Sequence, residues 1–186
     1  MLIAIWHGGR HAALRKPLVL GLAAGAFVWG GMFGALRLTE KERPALPTVL
    51  LTTPAGQPAE LVRLAAGKPM VVNLWASWCP PCQREMPVLA TAQQQQTGVI
   101  FVFANQGEEA GKVLRFLSAR QLDLANVLLD PGTALGKAVG STALPTTLFY
   151  DASGRLVDVH LGELSAASLA SQLRQLRVSP IPSFDK

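Results

Sequence analysis

Cysteine is nearly absent from this chain: its 186 residues hold two, three positions apart, in Trp75-Ala76-Ser77-Trp78-Cys79-Pro80-Pro81-Cys82. That scarcity excludes a four-thiolate zinc site, which needs a second such pair. Histidine does not fill the gap. His7 and His11 precede an apolar span and His160 stands alone far downstream, so no ligand set is readable and no metal site is expected. What remains is a pair that can cycle between dithiol and disulfide. The lack of any further cysteine suits a catalyst that must not cross-link to itself, and leaves none over for the peroxidatic role of a peroxidase.

Charge is also unevenly supplied. The net +5 invites a nucleic-acid reading, but residues 1–43 carry six Lys/Arg against Glu40 and Glu42, a balance of +4. The rest of the chain holds eleven basic and ten acidic side chains, a balance of +1. The basicity flanks an apolar stretch instead of forming a patch on the folded part, so nucleic acid is not an expected partner. Between Pro17 and Leu36 there is no charged residue at all. At ~1.5 Å per residue this stretch just crosses a ~30 Å hydrocarbon core. A cleaved signal peptide is the competing reading, with Arg10, Arg15 and Lys16 as its basic region. The apolar run is long for a signal, and its one small-x-small match, Ala24-Gly25-Ala26, lies inside the run. An uncleaved anchor is therefore expected. Lys/Arg residues are balanced on its two sides, so they do not orient it. Its Gly21/Gly25 and Gly30/Gly34 spacings are read as loose composition.

These features divide the chain into a short basic tail (1–16), a membrane span (17–38), a polar, proline-punctuated linker (39–47), one folded domain (48–178) and a C-terminal tail (179–186). Within the domain, residues 49–52 and 60–64 read as short strands around the turn-rich Pro54-Ala55-Gly56-Gln57-Pro58. Residues 70–75 and 99–104 are continuous apolar strands, buried on both faces. Helical spacing covers residues 83–96, 108–120 and 165–177, with one or two turns at 133–139 and a short strand at 126–129. Residues 146–150 and 156–160 flank Asp151-Ala152-Ser153-Gly154 and read as a hairpin. The alternation indicates an α/β domain with a mixed sheet flanked by helices.

A C-x-x-C at the junction of a buried strand and a helix has a chemical consequence. Cys79 falls at the helix N-terminus, where unpaired N–H groups and the helix dipole favour a thiolate. Pro80 sits in the first turn, where its missing N–H costs nothing. Cys82 lies on the same face and reaches the first sulfur. An exposed Cys79 would attack a partner disulfide and a buried Cys82 would resolve the mixed disulfide. Trp78 is a flat apolar wall, either core or docking surface.

The run from Trp75 to Cys82, followed by Gln83-Arg84-Glu85-Met86-Pro87, resembles the thioredoxin superfamily, and most closely its membrane-anchored TlpA/ResA-like thiol–disulfide oxidoreductases. Pro87, five residues after Cys82, matches a helix-kinking proline, and Leu144-Pro145-Thr146-Thr147 matches the loop whose proline is cis and faces the cysteines. The resemblance spans residues 48–177. It implies a thioredoxin-like fold, a redox-active Cys79–Cys82 disulfide with no other cofactor, and substrate contacts at Trp78, Pro80, Leu144 and Pro145. Asn73 stands where thioredoxin carries a buried aspartate. An amide does not shuttle protons at neutral pH, and the TlpA/ResA-like branch uses a glutamate at the place of Glu85. The resemblance further implies reduction of partner disulfides in the bacterial periplasm, as in apocytochrome c or copper-site assembly, with electrons from a membrane donor. A dithiol oxidase and a Cu(I)-delivery module using the same cysteines are the alternatives. Trp75, Phe101, Phe103, Phe149 and Met86 are expected in the core. Glu108, Glu109 and Arg120 are expected on a solvated helix face, and His160 in a structural or exposed place.

Overall fold

The structure, a computed structural model, describes residues 43–178. The expected membrane span and both tails lie outside the described residues, among which no helix is long and apolar enough to cross a membrane. In chain order the elements are β1 Leu51–Thr52, β2 Pro58–Ala59, α1 Leu61–Ala65, β3 Met70–Trp75, α2 Pro80–Gln95, β4 Ile100–Gln106, α3 Ala110–Ala119, β5 Val127–Asp130, α4 Ala134–Ala138, β6 Thr146–Tyr150, β7 Leu156–Leu161 and α5 Ala166–Val178.

The strands form one mixed sheet in the order β2-β1-β5-β4-β3-β6-β7. β3, β4 and β5 are mutually parallel neighbours, while β6 runs antiparallel to β3 and β7 antiparallel to β6. Strand period two sends alternate residues to opposite faces. Val71 and Trp75 join Phe101, Phe103 and Phe149 against α2 residues Met86 and Leu89 and α5 residues Leu169, Leu173 and Leu176. Met70, Val72 and Leu74 join Val102, Leu148 and Tyr150 on the other face, with Leu61 of α1 and Leu135 of α4. Asn73, between Val71 and Trp75, therefore points toward α2.

Two local expectations are corrected. Where a strand is expected at residues 60–64, Leu61–Ala65 form the helix α1, with Glu60 as its N-cap residue: Leu61 and Ala65, four apart, are buried while Val62 is exposed. Five residues are too few for period alone to separate the two readings, and burial of the i, i+4 face decided it. The helix stops where Ala66 and Gly67 take positive φ. Within the expected linker, Leu46 N–H donates to Gly154 O (2.9 Å) and Leu156 N–H to Pro44 O (2.8 Å), so residues 44–46 pair with the turn of the β6–β7 hairpin. The turn itself is held by Asp151, whose Oδ1 accepts from the N–H groups of Ser153 and Arg155.

Candidate active site

β3 ends at Trp75, and the chain turns through residues 76–79 into α2. Cys79 is the N-cap of that helix, in an extended conformation, with Pro80 and Pro81 in its first turn. Both prolines occupy positions whose N–H groups have no partner in the helix, so the motif starts the helix without sacrificing a hydrogen bond. Cys79 and Cys82 are joined by a disulfide, and Cys79 Sγ accepts the Cys82 N–H at 3.3 Å. The expectation of an exposed Cys79 is corrected: it is 3 % exposed and Cys82 0 %. The exposed group is Trp78, at 61 %, which settles its place on the surface.

The Leu144–Pro145 peptide is cis, and Pro145 is buried at the start of β6, the neighbour of β3. Leu144, half-buried, and Trp78 share a groove of about 280 Å³ with Lys137, Ser141 and Thr142. A larger apolar groove of about 570 Å³, between α2 and α5, includes none of the expected site residues. Volume alone therefore does not mark the reactive face. Pro80 is exposed at the helix start.

Below the disulfide lies a buried polar cluster. Glu85, one turn after Cys82, is 1 % exposed. Its Oε1 accepts from Asn73 Nδ2 at 2.8 Å and its Oε2 from Leu164 N–H at 2.8 Å. Asn73 Nδ2 also donates to Thr147 Oγ1 of β6 at 3.0 Å. Burial pushes the Glu85 carboxyl up to about 7; the hydrogen bonds from Leu164 and Asn73 oppose the rise, and the charge of Glu163 adds to it. Asn73, the expected departure from thioredoxin, and Glu85, the expected match to the TlpA/ResA-like branch, are hydrogen-bonded partners.

Sequence reasoning missed a second buried carboxylate. Glu108 is not on a solvated face; it is 5 % exposed. Its Oε2 accepts from Ser77 N–H (2.6 Å) and Asn105 Nδ2 (2.7 Å), and its Oε1 from Ser77 Oγ (2.7 Å) and Lys112 Nζ (2.7 Å). Burial alone would raise its pKa, but the bonds from Asn105, Lys112 and Ser77 bring it down to about 2. Glu108 precedes α3 rather than lying on it, so helical period did not report on its direction. Its neighbour Glu109 is exposed as expected. Arg120 is exposed as well, but donates to Gln83 Oε1 (2.5 Å), and Gln83 Nε2 donates to Ser77 O (2.6 Å). Met86 is fully buried packing, and the ring of half-buried His160 lies 3.2 Å from the Glu163 carbonyl through its Nε2. Among the described residues no cluster of His, Cys, Asp or Glu has the makings of a metal site.

A cysteine pair at a strand-to-helix junction beside a buried cis-proline, on a sheet with a parallel β3–β4–β5 core, defines a thioredoxin-like protein. A profile of the redoxin family matches residues 41–173, and the chain belongs to that family. It is 30 % identical over 149 residues to the thiol-disulfide oxidoreductase ResA of Halalkalibacterium halodurans, covering 79 % of this chain and 83 % of that protein. Among solved structures, MTB DsbF in mixed oxidized and reduced forms superposes with a TM-score of 0.66 at 28 % identity, over 72 % of this chain and 98 % of that one. A secreted Mycobacterium tuberculosis disulfide oxidoreductase homologous to E. coli DsbE superposes at 0.62 with 26 % identity, over 69 % of this chain and 96 % of that one. The chain is thus a thiol–disulfide oxidoreductase of the ResA/DsbE type, a class whose chemistry resides in its cysteines.

Proposed function

We propose that the chain is a membrane-anchored, extracytoplasmic reductase of protein disulfides, with Cys79 as nucleophile, Cys82 as resolving thiol and Glu85 as proton acceptor. One observation carries this reading: the disulfide caps α2, and a carboxyl with its pKa near 7 lies buried one helical turn behind it. In the reduced enzyme the Cys79 thiolate attacks a partner disulfide. One partner sulfur bonds to Cys79, the partner S–S bond breaks, and the other sulfur leaves as a thiolate that takes a proton. Cys82 gives its proton to Glu85 and attacks Cys79 Sγ, which releases the second partner sulfur and restores the Cys79–Cys82 bond. Two electrons pass to the partner, and a membrane reductant returns them to the pair.

Trp78, Pro80 and Leu144 form the partner-facing rim, with buried Pro145 fixing the turn directly behind Leu144. Exposed Trp78 and half-buried Leu144 supply apolar contact, and an extended partner segment would pair with the backbone at Leu144. The resemblance to ResA and to a secreted oxidoreductase supports an extracytoplasmic setting, with the apolar span at residues 17–38 as the anchor. Partners of the cytochrome c or copper-site assembly type follow from the same resemblance. Equilibration of the protein in a dithiothreitol or glutathione series tests the direction. A potential near about −250 mV is expected for a reductant, and one near about −120 mV would overturn that direction in favour of a dithiol oxidase.

A further inference from the structure

We infer that Glu108 is a positioning residue that mounts Trp78 for protein partners, by pinning the loop between β3 and α2. The inference rests on the reading of Trp78 as partner-facing. Trp78 is 61 % exposed, so packing along the groove covers only part of its indole and the loop that carries it sets where it stands. That loop is held by the chain neighbours of Trp78. Cys79 is fixed as the helix cap, with its N–H donating to Ala76 O at 3.2 Å. Ser77, on the other side, is 9 % exposed, and all three of its polar groups are engaged. Its N–H and Oγ go to Glu108, and its carbonyl accepts from Gln83 Nε2.

The carboxylate is suited to this task and not to proton transfer. Each oxygen already accepts two hydrogen bonds, from the loop, from β4 through Asn105 and from α3 through Lys112. Charge-assisted bonds of this kind are the strong ones, and a buried charge is tolerated only when so satisfied. Glu108 thus ties three elements together behind an exposed tryptophan. Replacing one accepting oxygen by an amide donor leaves either the Ser77 N–H and Asn105, or the Ser77 hydroxyl and Lys112, without an acceptor, and loosens the mount without touching either sulfur.

The test uses the full chain in detergent, as wild type, Glu108→Gln, Glu108→Asp and Ser77→Ala. Three readouts are taken: exchange of the reduced protein with insulin, exchange with oxidised glutathione, and the Trp78 indole NMR signal. Glu108→Gln is expected to slow insulin exchange about tenfold and to leave glutathione exchange within about twofold. The Trp78 signal is expected to shift and broaden. Glu108→Asp should recover part of the insulin rate, and Ser77→Ala, which keeps the carboxylate, should fall between. An unmoved Trp78 signal in both Glu108→Gln and Ser77→Ala overturns the inference, whatever the quality of insulin as a substrate. Equal losses toward insulin and glutathione overturn it too. Failure of the wild type to exchange with glutathione would instead overturn the proposed disulfide chemistry.

Discussion

Glu85 and Glu108 are buried carboxylates on the same side of one sheet, and their surroundings drive them in opposite directions. Glu85 accepts two hydrogen bonds from neutral groups, and burial dominates, raising it from 4.5 to about 7. Glu108 accepts four bonds, one from an ammonium, and falls to about 2. Groups so separated take different roles near neutral pH, one able to exchange a proton and the other permanently charged. The sign for stability follows. Below pH 4.5 Glu85 is protonated in both the folded and unfolded chain and costs nothing. As pH rises from 4.5 to about 7 the unfolded chain ionises and the folded one does not, so stability falls, by about 3 kcal/mol for this group alone. Glu85→Gln should remove that slope in urea unfolding followed across the range, and parallel curves for the two proteins would refute the assignment. Glu108 acts in the other sense: its contribution is complete above pH 4.5 and lost as pH falls toward 2. Because the Asn73 hydrogen bond lowers the Glu85 pKa, Asn73→Ala should raise it further, as read by titration of the side-chain carboxyl carbon.

At the scale of elements, α2 is held by the face opposite its solvent side. Leu89 is fully buried among the apolar residues of β3, β4 and α5. Leu89→Ala should cost about 2–5 kcal/mol in chemical unfolding while leaving the cysteine motif itself intact. The cis-proline loop depends on a close approach instead. A Cβ at Gly136 of α4 would lie 2.8 Å from Ser141 O and 3.2 Å from Gln106 Oε1. Gly136→Ala should therefore push away the segment leading into Leu144 and Pro145, costing about 1–3 kcal/mol and slowing exchange with protein disulfides. Unchanged stability and rate would show that the loop is not set by that contact.

For the whole molecule, the question is where the folded domain begins. Residues 44–46 pair with the β6–β7 turn, Leu46 lies 3.3 Å from the position of a Cβ at Gly154, and the Arg155 guanidinium donates to Arg43 O. A soluble protein starting at residue 43 should be more stable than one starting at residue 48 by about 1–3 kcal/mol, the worth of two or three net hydrogen bonds. Equal midpoints in urea would mean that the pairing adds nothing. The proposed anchor has its own check: the full chain should resist alkaline extraction from membranes, and deletion of residues 1–38 should release it.

Much of this was readable from the residues alone. The C-x-x-C, the strand before it and the hairpin turn are local patterns in which short-range sterics and period decide the outcome, whereas the cis-proline loop was readable only through the family resemblance. Reaction class followed from them, because two thiols three residues apart at a helix start have few other uses. Residues 60–64 escaped because five positions fit two periods, and Glu108 escaped because a charge beside a helix carries no mark of its direction. The sequence by itself determined the disulfide chemistry and the α/β alternation. Only tertiary structure decided the protonation of the two carboxylates, since burial and donors arrive from β3, β4 and the segment before α5. These partners lie up to 79 residues away, and a pKa is set by what surrounds the group in space.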